Sequence, residues 1–291
     1  MNENLIILAG GASSRMKKEV KTELSNTLIT QANTRSKSLI SISDTGRPVM
    51  DYLLYNAKQA GYTTIYIIIG EKESLMKEFY GDKITGNDFN GLTINYAIQY
   101  VSKDREKPFG TADALYQAIT QYPGLGKETY TVCNSDNLYS EAVLKMLRTS
   151  AYKNAFISYD RDALQFSMER IARFALVSLD EEGFLKDIIE KPSIEESLLY
   201  KDESGKFRVS MNIFKFNGMM FKGYVTNCPI NEKRNEKELP TALLNMAKDH
   251  PKSIMGIPVY EHVPDLTSKE DIATLKEYIE NNYKEDINWD R

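Results

Sequence analysis

The 291-residue sequence contains very few of the side chains that build metal clusters, disulfide frameworks and imidazole catalysts. It has only two cysteines and two histidines. Cys133 and Cys228 belong to no C-x-x-C pair and no Cys/His cluster, so neither a zinc site nor a disulfide framework is expected. His250 and His262 stand alone in the sequence, so we expect surface or interface positions for them rather than acid-base catalysis.

A basic surplus and a long apolar run are also missing. Lysine and arginine total 37 against 41 aspartates and glutamates, which gives a net charge of -4. This balance argues against a general nucleic-acid-binding protein, because no excess positive charge is available to neutralise many phosphates. No run reaches the roughly 18 apolar residues of a membrane span, and no charged leader precedes an apolar stretch. The sequence therefore predicts a cytoplasmic protein without a membrane partner.

The most informative stretch is an apolar run that ends in a loop of small residues. Residues 5–8 are consecutive aliphatics, which predicts a strand buried on both faces, as in a parallel sheet. Gly10 and Gly11 have no Cβ, so backbone N–H groups can approach phosphate oxygens, and the hydroxyl of Ser13 adds a donor. Arg15 can bind two phosphate oxygens at once. A tight turn would use the same glycines, and the spacing matches neither common phosphate loop.

The segments that follow alternate between helical and strand patterns. Residues 48–60 carry a helical apolar stripe, residues 64–69 form a buried strand, residues 71–80 a helix and residues 92–98 a further strand. Such β-α-β units need right-handed crossovers and so indicate a parallel sheet. Residues 17–36 show no clear periodicity, and we expect a long loop beside the glycine loop.

Polar residues stand at the ends of predicted strands and at one helix start. Gln99 follows the strand at 92–98, and Gly110 and Thr111 open a helix, where free N–H groups favour acceptor atoms of a ligand. Asp136 follows the apolar strand at 130–133, where open α/β sheets bind ligands, and its oxygens suit Mg²⁺. Helix and turn capping explains the same residues without function.

The second half of the chain has a different pattern. Residues 171–179 and 184–190 predict a hairpin that ends in Glu190 and Lys191, and a strand at 209–214 contains Asn212. The amide of Asn212 either meets a ligand hydroxyl or satisfies a buried backbone group.

The loop at residues 8–16 resembles the signature L-A-G-G-x-[ST]-x-R-[ML] of the sugar-phosphate nucleotidyltransferases, which include the enzymes that make UDP-glucose and dTDP-glucose. The resemblance extends to about residue 243 through four motifs in the family's order. It implies an α/β fold with one Rossmann-like domain over residues 1–291 and a mostly parallel central sheet. Within it, residues 1–150 would form the nucleotide-binding half and residues 151–250 the sugar-phosphate-binding half. Residues 251–291 would form a C-terminal strand and helix extension.

The resemblance also implies roles for individual residues. A Gln at a strand end followed by Gly-[TL]-A-x-A reads a pyrimidine base in the family, and a Glu-Lys pair after the hairpin binds the sugar and its phosphate. The implied set is Arg15 and Lys37 for catalysis, Ala9, Gly10, Gly11, Ser13, Gln99, Gly110 and Thr111 for the nucleotide, Glu190, Lys191 and Asn212 for the sugar phosphate, and Asp136 for Mg²⁺.

The sequence departs from the family pattern at several positions. Lys37 comes 22 residues after Arg15 instead of about ten, which makes Lys17, Lys18 and Lys21 rivals for its role. Three family residues are replaced, namely a glycine by Ser135, a glycine by Ala175 and a metal-binding aspartate by Thr241. Either Glu236 or Glu238 then supplies the second metal ligand, or one protein ligand suffices with phosphate and water oxygens. No hexapeptide repeat is present, so the β-helix of bifunctional relatives is not expected.

The resemblance therefore predicts an enzyme that transfers a nucleotidyl group from UTP, dTTP or CTP to a sugar 1-phosphate, with release of pyrophosphate. Its partners would be the two substrates. The sequence leaves open whether the protein forms a homo-oligomer. The alternatives are a cytidylyltransferase that acts on a small phospho-alcohol, a GT-A type glycosyltransferase and a catalytically silent nucleotide-sugar-binding regulatory protein. The GT-A enzyme would need a D-x-D motif, which is not found near Asp136.

Overall fold

The computed structural model describes residues 2–11, 13–18, 24–172, 174–190, 192–283 and 287–290. The chain folds into two compact units. We call residues 3–108, 133–145 and 264–291 the N-terminal unit, and residues 1–2, 109–132 and 146–263 the central unit. The predicted single domain and its internal boundaries stay a prediction.

The described residues form an α/β arrangement of strands and helices. The strands are β1 (Asn4–Leu8), β2 (Thr64–Gly70), β3 (Asn87–Phe89), β4 (Leu92–Gln99), β5 (Thr129–Asn134), β6 (Asn154–Asp160), β7 (Ala175–Leu179), β8 (Leu185–Ile189), β9 (Arg208–Asn217) and β10 (Ile254–Val259). The helices are α1 (Asn26–Thr34), α2 (Val49–Gln59), α3 (Leu75–Tyr80), α4 (Thr111–Gln121), α5 (Glu141–Thr149), α6 (Met168–Ile171), α7 (Ile194–Leu198), α8 (Gly218–Thr226), α9 (Leu239–Asp249) and α10 (Asp271–Asn282).

A parallel sheet forms the core of the N-terminal unit. β1 pairs with β2 and β2 with β4, both in parallel, while the short β3 adds an antiparallel edge to β4. Leu5, Ile6 and Ile7 are fully buried. Their burial confirms the expectation from the apolar run, because a central parallel strand is covered on both faces. The carboxyl ends of these strands meet at one edge, and the glycine loop begins there.

The central unit is built on an antiparallel arrangement. β6 lies between β10, which is parallel to it, and β9, which is antiparallel, and β9 also pairs with β7 of the β7–β8 hairpin. The hairpin was predicted to start at residue 171, but residues 168–171 form α6 and the strand starts at Ala175.

The expectation of a long loop over residues 17–36 is wrong for part of that range, because α1 lies within it. Ser25 caps this helix by accepting a hydrogen bond from the backbone N–H of Leu28 at 3.3 Å. Thr30 and Thr34 donate their hydroxyls to carbonyls one turn earlier, and Ala32 is fully buried. Only three of its nine residues, Leu28, Ile29 and Ala32, are apolar, so the helical periodicity in the sequence is weak.

Among the described residues no helix is long and apolar enough to cross a membrane. Both cysteines are buried and neither forms a disulfide, which agrees with the sequence-based expectation.

Candidate nucleotide-binding site

The glycine loop leaves β1 at the carboxyl edge of the parallel sheet. The backbone N–H of Ala9 donates to the carbonyl of Ile68 at 2.9 Å, which continues the pairing with β2. The backbone then turns outward, with Gly11 and Arg15 exposed and Ser13 in the left-handed region at φ +51°. Exposed N–H groups beside a permanent cation suit a phosphate ligand.

Gly10 lies directly against Gln99 at the end of β4. A Cβ built at Gly10 would approach the Gln99 Oε1 atom to 2.9 Å, so only glycine fits without displacing that amide. Gln99 is only 3% exposed. The structure thus brings together two sequence-predicted residues that are 89 positions apart in the sequence, as expected for neighbouring strand ends.

Lys37 and Asp136 form an ion pair in the N-terminal unit. The Lys37 Nζ atom lies 2.7 Å from the Asp136 Oδ2 atom, and the two side chains are 12% and 24% exposed. Of the described lysines that compete for this role, Lys17 and Lys18 are exposed. Lys21 lies outside the described residues. A charge-assisted contact of this length shows that the Asp136 carboxylate holds a cation at the strand end.

The segment that carries Lys37 is held by residues of the long stretch between Arg15 and Lys37. Lys37 starts a short 3₁₀ turn, Lys37–Leu39. Gln31 of α1 accepts from the backbone N–H of Ser41 at 2.8 Å, and Arg35 donates to the carbonyl of Leu39 at 3.3 Å. The hydroxyl of Ser36 donates to Glu73. The helix α1 is therefore one of the elements that position Lys37.

The turn that carries Asp136 also lies beside the glycine loop. The N–H of Ser135 donates to the carbonyl of Leu8 at 3.2 Å, so the ends of β5 and β1 run side by side. Beneath the turn, burial and the nearby Asp136 charge raise the pKa of the Cys133 thiol. Cys133 therefore stays protonated near neutral pH and cannot serve as a thiolate nucleophile.

The backbone of a second acidic residue, Asp265 of the C-terminal segment, pairs with the Asp136 turn, and the sequence analysis missed it. Asp265 stands opposite Asn137 in an antiparallel bridge, and the N–H of Leu266 donates to the Asp136 carbonyl at 2.8 Å. Both Asp265 carboxylate oxygens accept from the Thr267 hydroxyl at 3.0 Å. This neighbour is shown only by the pairing of Asn137 with Asp265, which are 128 positions apart, so no local motif could have found it.

Gly110 and Thr111 lie in the central unit, where both pack against residues 237–239. Gly110 has φ +101°, and a Cβ there would lie 2.3 Å from the carbonyl oxygen of Lys237. The Thr111 hydroxyl accepts from the N–H of Leu239 at 3.0 Å. These contacts explain a glycine and a threonine at this helix start, whatever their role in base binding, which stays a prediction.

The predicted sugar-phosphate residues also belong to the central unit. Glu190 is exposed at the end of the hairpin, and Lys191 lies outside the described residues. Asn212 has φ +56° in β9, opposite a register shift in β6. Asparagine tolerates the left-handed region better than most residues, so the backbone conformation at this bulge explains an asparagine at position 212.

The expected substitutes for a second metal ligand are engaged elsewhere in the central unit. Glu238 pairs with Arg234 at 2.5 Å and accepts from the Asn231 amide at 2.9 Å, while Glu236 lies 3.4 Å from Arg234. Thr241 lies in the first turn of α9. Within the N-terminal unit, Asp265 is a further candidate, because its backbone pairs with the Asp136 turn.

With this geometry in place, comparison with known proteins is informative. The family model described as nucleotidyl transferase matches residues 4–284. The chain belongs to the nucleotidyl transferase family. This finding confirms the resemblance that the four motifs indicated.

Curated relatives have related names. The chain is 26% identical over 196 residues to glucose-1-phosphate adenylyltransferase 1 of Vibrio vulnificus, an alignment that covers 66% of this chain and 44% of the relative. It is 28% identical over 191 residues to a low-salt glycan biosynthesis nucleotidyltransferase of Haloferax volcanii, with 64% and 44% coverage. A Bacillus cereus glucose-1-phosphate adenylyltransferase is 22% identical over 270 residues, with 90% and 63% coverage. The chain thus spans about half the length of the curated relatives it matches.

A solved structure supports the fold. The structure of a UDP-glucose pyrophosphorylase complexed with UDP-glucose superimposes with a TM-score of 0.70 at 16% identity, covering 97% of this chain and 99% of that one. The predicted Rossmann-like α/β fold with a mostly parallel central sheet is therefore confirmed.

Proposed function

We propose that this chain is a sugar-1-phosphate nucleotidyltransferase, which joins a nucleoside triphosphate and a sugar 1-phosphate to give a nucleoside diphosphate sugar and pyrophosphate. The observation that carries the proposal is the Lys37–Asp136 pair, at 2.7 Å, on the turn that lies beside the glycine loop. Family membership and the names of the relatives support the same reaction class.

The reaction needs no side-chain nucleophile. An oxygen of the sugar phosphate attacks the α-phosphorus, the bond from that phosphorus to the bridging oxygen breaks, and pyrophosphate leaves with its electron pair. Catalysis is then alignment of the reactants and neutralisation of charge. Arg15 and the N–H groups of Gly10 and Gly11 would grip the triphosphate, and Lys37 would offset the charge that develops on it.

The carboxylate of Asp136 suits a Mg²⁺ ion. The Lys37 ammonium on Asp136 acts as a stand-in cation, and aspartate oxygens are the ligands that Mg²⁺ prefers. Asp136 and Asp265 would hold the ion, and phosphate and water oxygens would complete its shell. Bound Mg²⁺ would withdraw charge from the triphosphate oxygens.

The base and the sugar are open within this proposal. Gln99 offers both a donor and an acceptor amide group, which suits the edge of a base. The sequence favours UTP, dTTP or CTP, while relatives named adenylyltransferases add ATP to the set to be tested. The predicted cytoplasmic location and assembly state stay predictions.

The test is pyrophosphate release from the full chain. UTP, dTTP, CTP and ATP would each be incubated with a panel of sugar 1-phosphates in magnesium, with EDTA as the matched control. We expect release with at least one pair and none in EDTA. Release from no pair, by a protein that binds triphosphates, would favour the silent regulatory protein instead.

A further inference from the structure

Lys269 is a buried lysine in the N-terminal unit that neither the sequence motifs nor the proposed reaction uses. Its residue is 5% exposed. The Nζ atom donates to the carbonyl of Lys18 at 2.9 Å and to the Asn33 Oδ1 atom at 2.7 Å. A buried ammonium is costly unless it is hydrogen-bonded, so these contacts define where each partner can lie.

The two partners belong to the two segments that present cations to the candidate site. Lys18 closes the turn that Arg15 begins, since its N–H donates to the Arg15 carbonyl at 3.3 Å. Asn33 lies on α1, and the side chains of Gln31 in α1 and of Arg35, which follows it, hold the segment after Lys37. One ammonium group therefore ties the Arg15 turn to the helix that supports Lys37.

Lys269 itself extends from a fixed segment. The N–H of Leu138 donates to the Pro264 carbonyl at 2.9 Å, and the N–H of Leu266 to the Asp136 carbonyl at 2.8 Å. Asp271 then accepts from the N–H groups of Thr267 and Ser268 at 2.8 and 2.6 Å. The segment from residue 264 to 271 thus connects the Asp136 turn with Lys269.

We propose that Lys269 is a positioning residue, which sets the Arg15 turn and α1 against the Asp136 turn so that the phosphate-binding cations and the metal carboxylate converge on one triphosphate. This role rests on the proposed function. Lys269 touches no substrate in it and acts only through Lys18 and Asn33.

The test compares Lys269→Met with Lys215→Met in the full chain. Methionine keeps the unbranched apolar stem and removes the ammonium. Lys215 is a matched control, since it is also 5% exposed and donates to a backbone carbonyl, that of Ser150 at 2.6 Å, in the central unit. Both variants should lose thermal stability. Only Lys269→Met should weaken binding of inorganic triphosphate with magnesium, by about five- to tenfold in calorimetry, because misplaced groups lose alignment.

A second pair of variants separates positioning from general packing. Asn33→Asp keeps an acceptor for Lys269 and should bind inorganic triphosphate as the wild type does, whereas Asn33→Leu should weaken binding in the same direction as Lys269→Met. Hydrogen exchange of amides 13–18 should also be faster in Lys269→Met and unchanged in Lys215→Met.

Each outcome decides one of the two claims. If wild-type protein binds inorganic triphosphate and Lys269→Met binds it equally well, the positioning role is overturned and the proposed function stands. Unchanged exchange of amides 13–18 in Lys269→Met would overturn the role in the same way. If the wild type binds neither inorganic nor nucleoside triphosphates, the proposed function fails and the positioning role fails with it.

Discussion

The two units of this chain use their conspicuous residues in different ways. In the N-terminal unit, residues from distant parts of the sequence meet near the strand ends. Lys37 forms an ion pair with Asp136, and the backbone of Gly10 lies against the Gln99 amide. In the central unit, Gly110 and Thr111 are engaged by the backbone of residues 237–239, and Asn212 occupies a bulge. Convergence of polar groups therefore marks the candidate site, whereas a glycine at a helix start is explained by backbone packing alone.

The largest expected effect tests the structural side of this comparison. Gly110→Ala places a Cβ 2.3 Å from the Lys237 carbonyl oxygen on a backbone at φ +101°, so we expect the free energy of unfolding to fall by about 2 to 5 kcal/mol. Chemical denaturation measures this. Gly223→Ala in α8 is the control, since nothing lies within 4 Å of its Cβ and it should leave stability unchanged or slightly higher. Equal stability of the two variants would remove the packing explanation.

The next effect tests the phosphate loop of the N-terminal unit. Arg15→Ala should cost about 2 to 4 kcal/mol of transition-state stabilisation, because an aligned cation is lost from the triphosphate. The measurement is kcat/KM with the best substrate pair from the pyrophosphate assay. The kcat/KM of Arg15→Lys should lie between those of the wild type and Arg15→Ala, since lysine keeps the charge but not the planar guanidinium group. A change in Arg15→Ala below about threefold in kcat/KM, or roughly 0.6 kcal/mol, would place Arg15 outside the reaction.

Changes at the predicted base-binding residues should have a smaller effect on binding, and the effect should differ between bases. Gln99→Ala removes an amide that meets the base, which should cost about 1 to 3 kcal/mol for the preferred triphosphate and less for the others. Gly10→Ala should shift the same preference, because its Cβ would displace the Gln99 amide. Calorimetric titration with UTP, dTTP, CTP and ATP in magnesium compares the variants. Affinities and preferences that match the wild type in both would show that the contact is only structural.

The smallest effect concerns His262 of the central unit, which is partly buried against Phe166. Burial, and secondarily Arg170, lowers the pKa of His262 to about 4 from its usual 6.5. The unfolded chain then binds the proton first, so stability is lost as pH falls from about 6.5 towards 4.

The expected loss is about 1 to 2 kcal/mol after allowance for partial exposure. His262→Gln keeps an acceptor for the N–H of Gln165, which donates to His262 Nδ1 at 3.1 Å, but it does not titrate. Denaturation at pH 7 and pH 5 should show the loss in the wild type and not in His262→Gln. The lowered pKa values of Asp160 and Asp202 affect stability only at more acidic pH. An equal loss of stability in the wild type and in His262→Gln would contradict the assignment of this pH dependence to His262.

Local sequence patterns revealed much of the N-terminal unit because strong physical signals are local there. The apolar run of β1 and the glycines after it are adjacent in sequence, and residues at parallel strand ends must converge on one edge. The location of Gln99 and Asp136 at this edge could therefore be predicted from the sequence, whereas their roles in binding stay predictions. The helix α1 could not, because its polar and threonine-rich sequence is stabilised by a cap and by contacts with the Lys37 segment.

Long-range backbone pairing accounts for what was missed. Asp265 meets the Asp136 turn through a bridge between distant segments, and the close approach of Lys237 to Gly110 joins residues 127 positions apart. Neither pairing leaves a periodic or spaced signal in the sequence.

Manganese binding, followed by electron paramagnetic resonance, tests the central claim most directly, because Mn²⁺ takes the same oxygen ligands as Mg²⁺. The wild type, Asp136→Asn and Lys37→Met would be titrated without and with inorganic triphosphate. We expect Asp136→Asn to lose at least about tenfold in Mn²⁺ affinity, with an unchanged circular dichroism spectrum, because a ligand carboxylate is gone. Without triphosphate, Lys37→Met should bind Mn²⁺ more tightly than the wild type, since its ammonium no longer competes for Asp136. Wild-type affinity in Asp136→Asn would contradict the account.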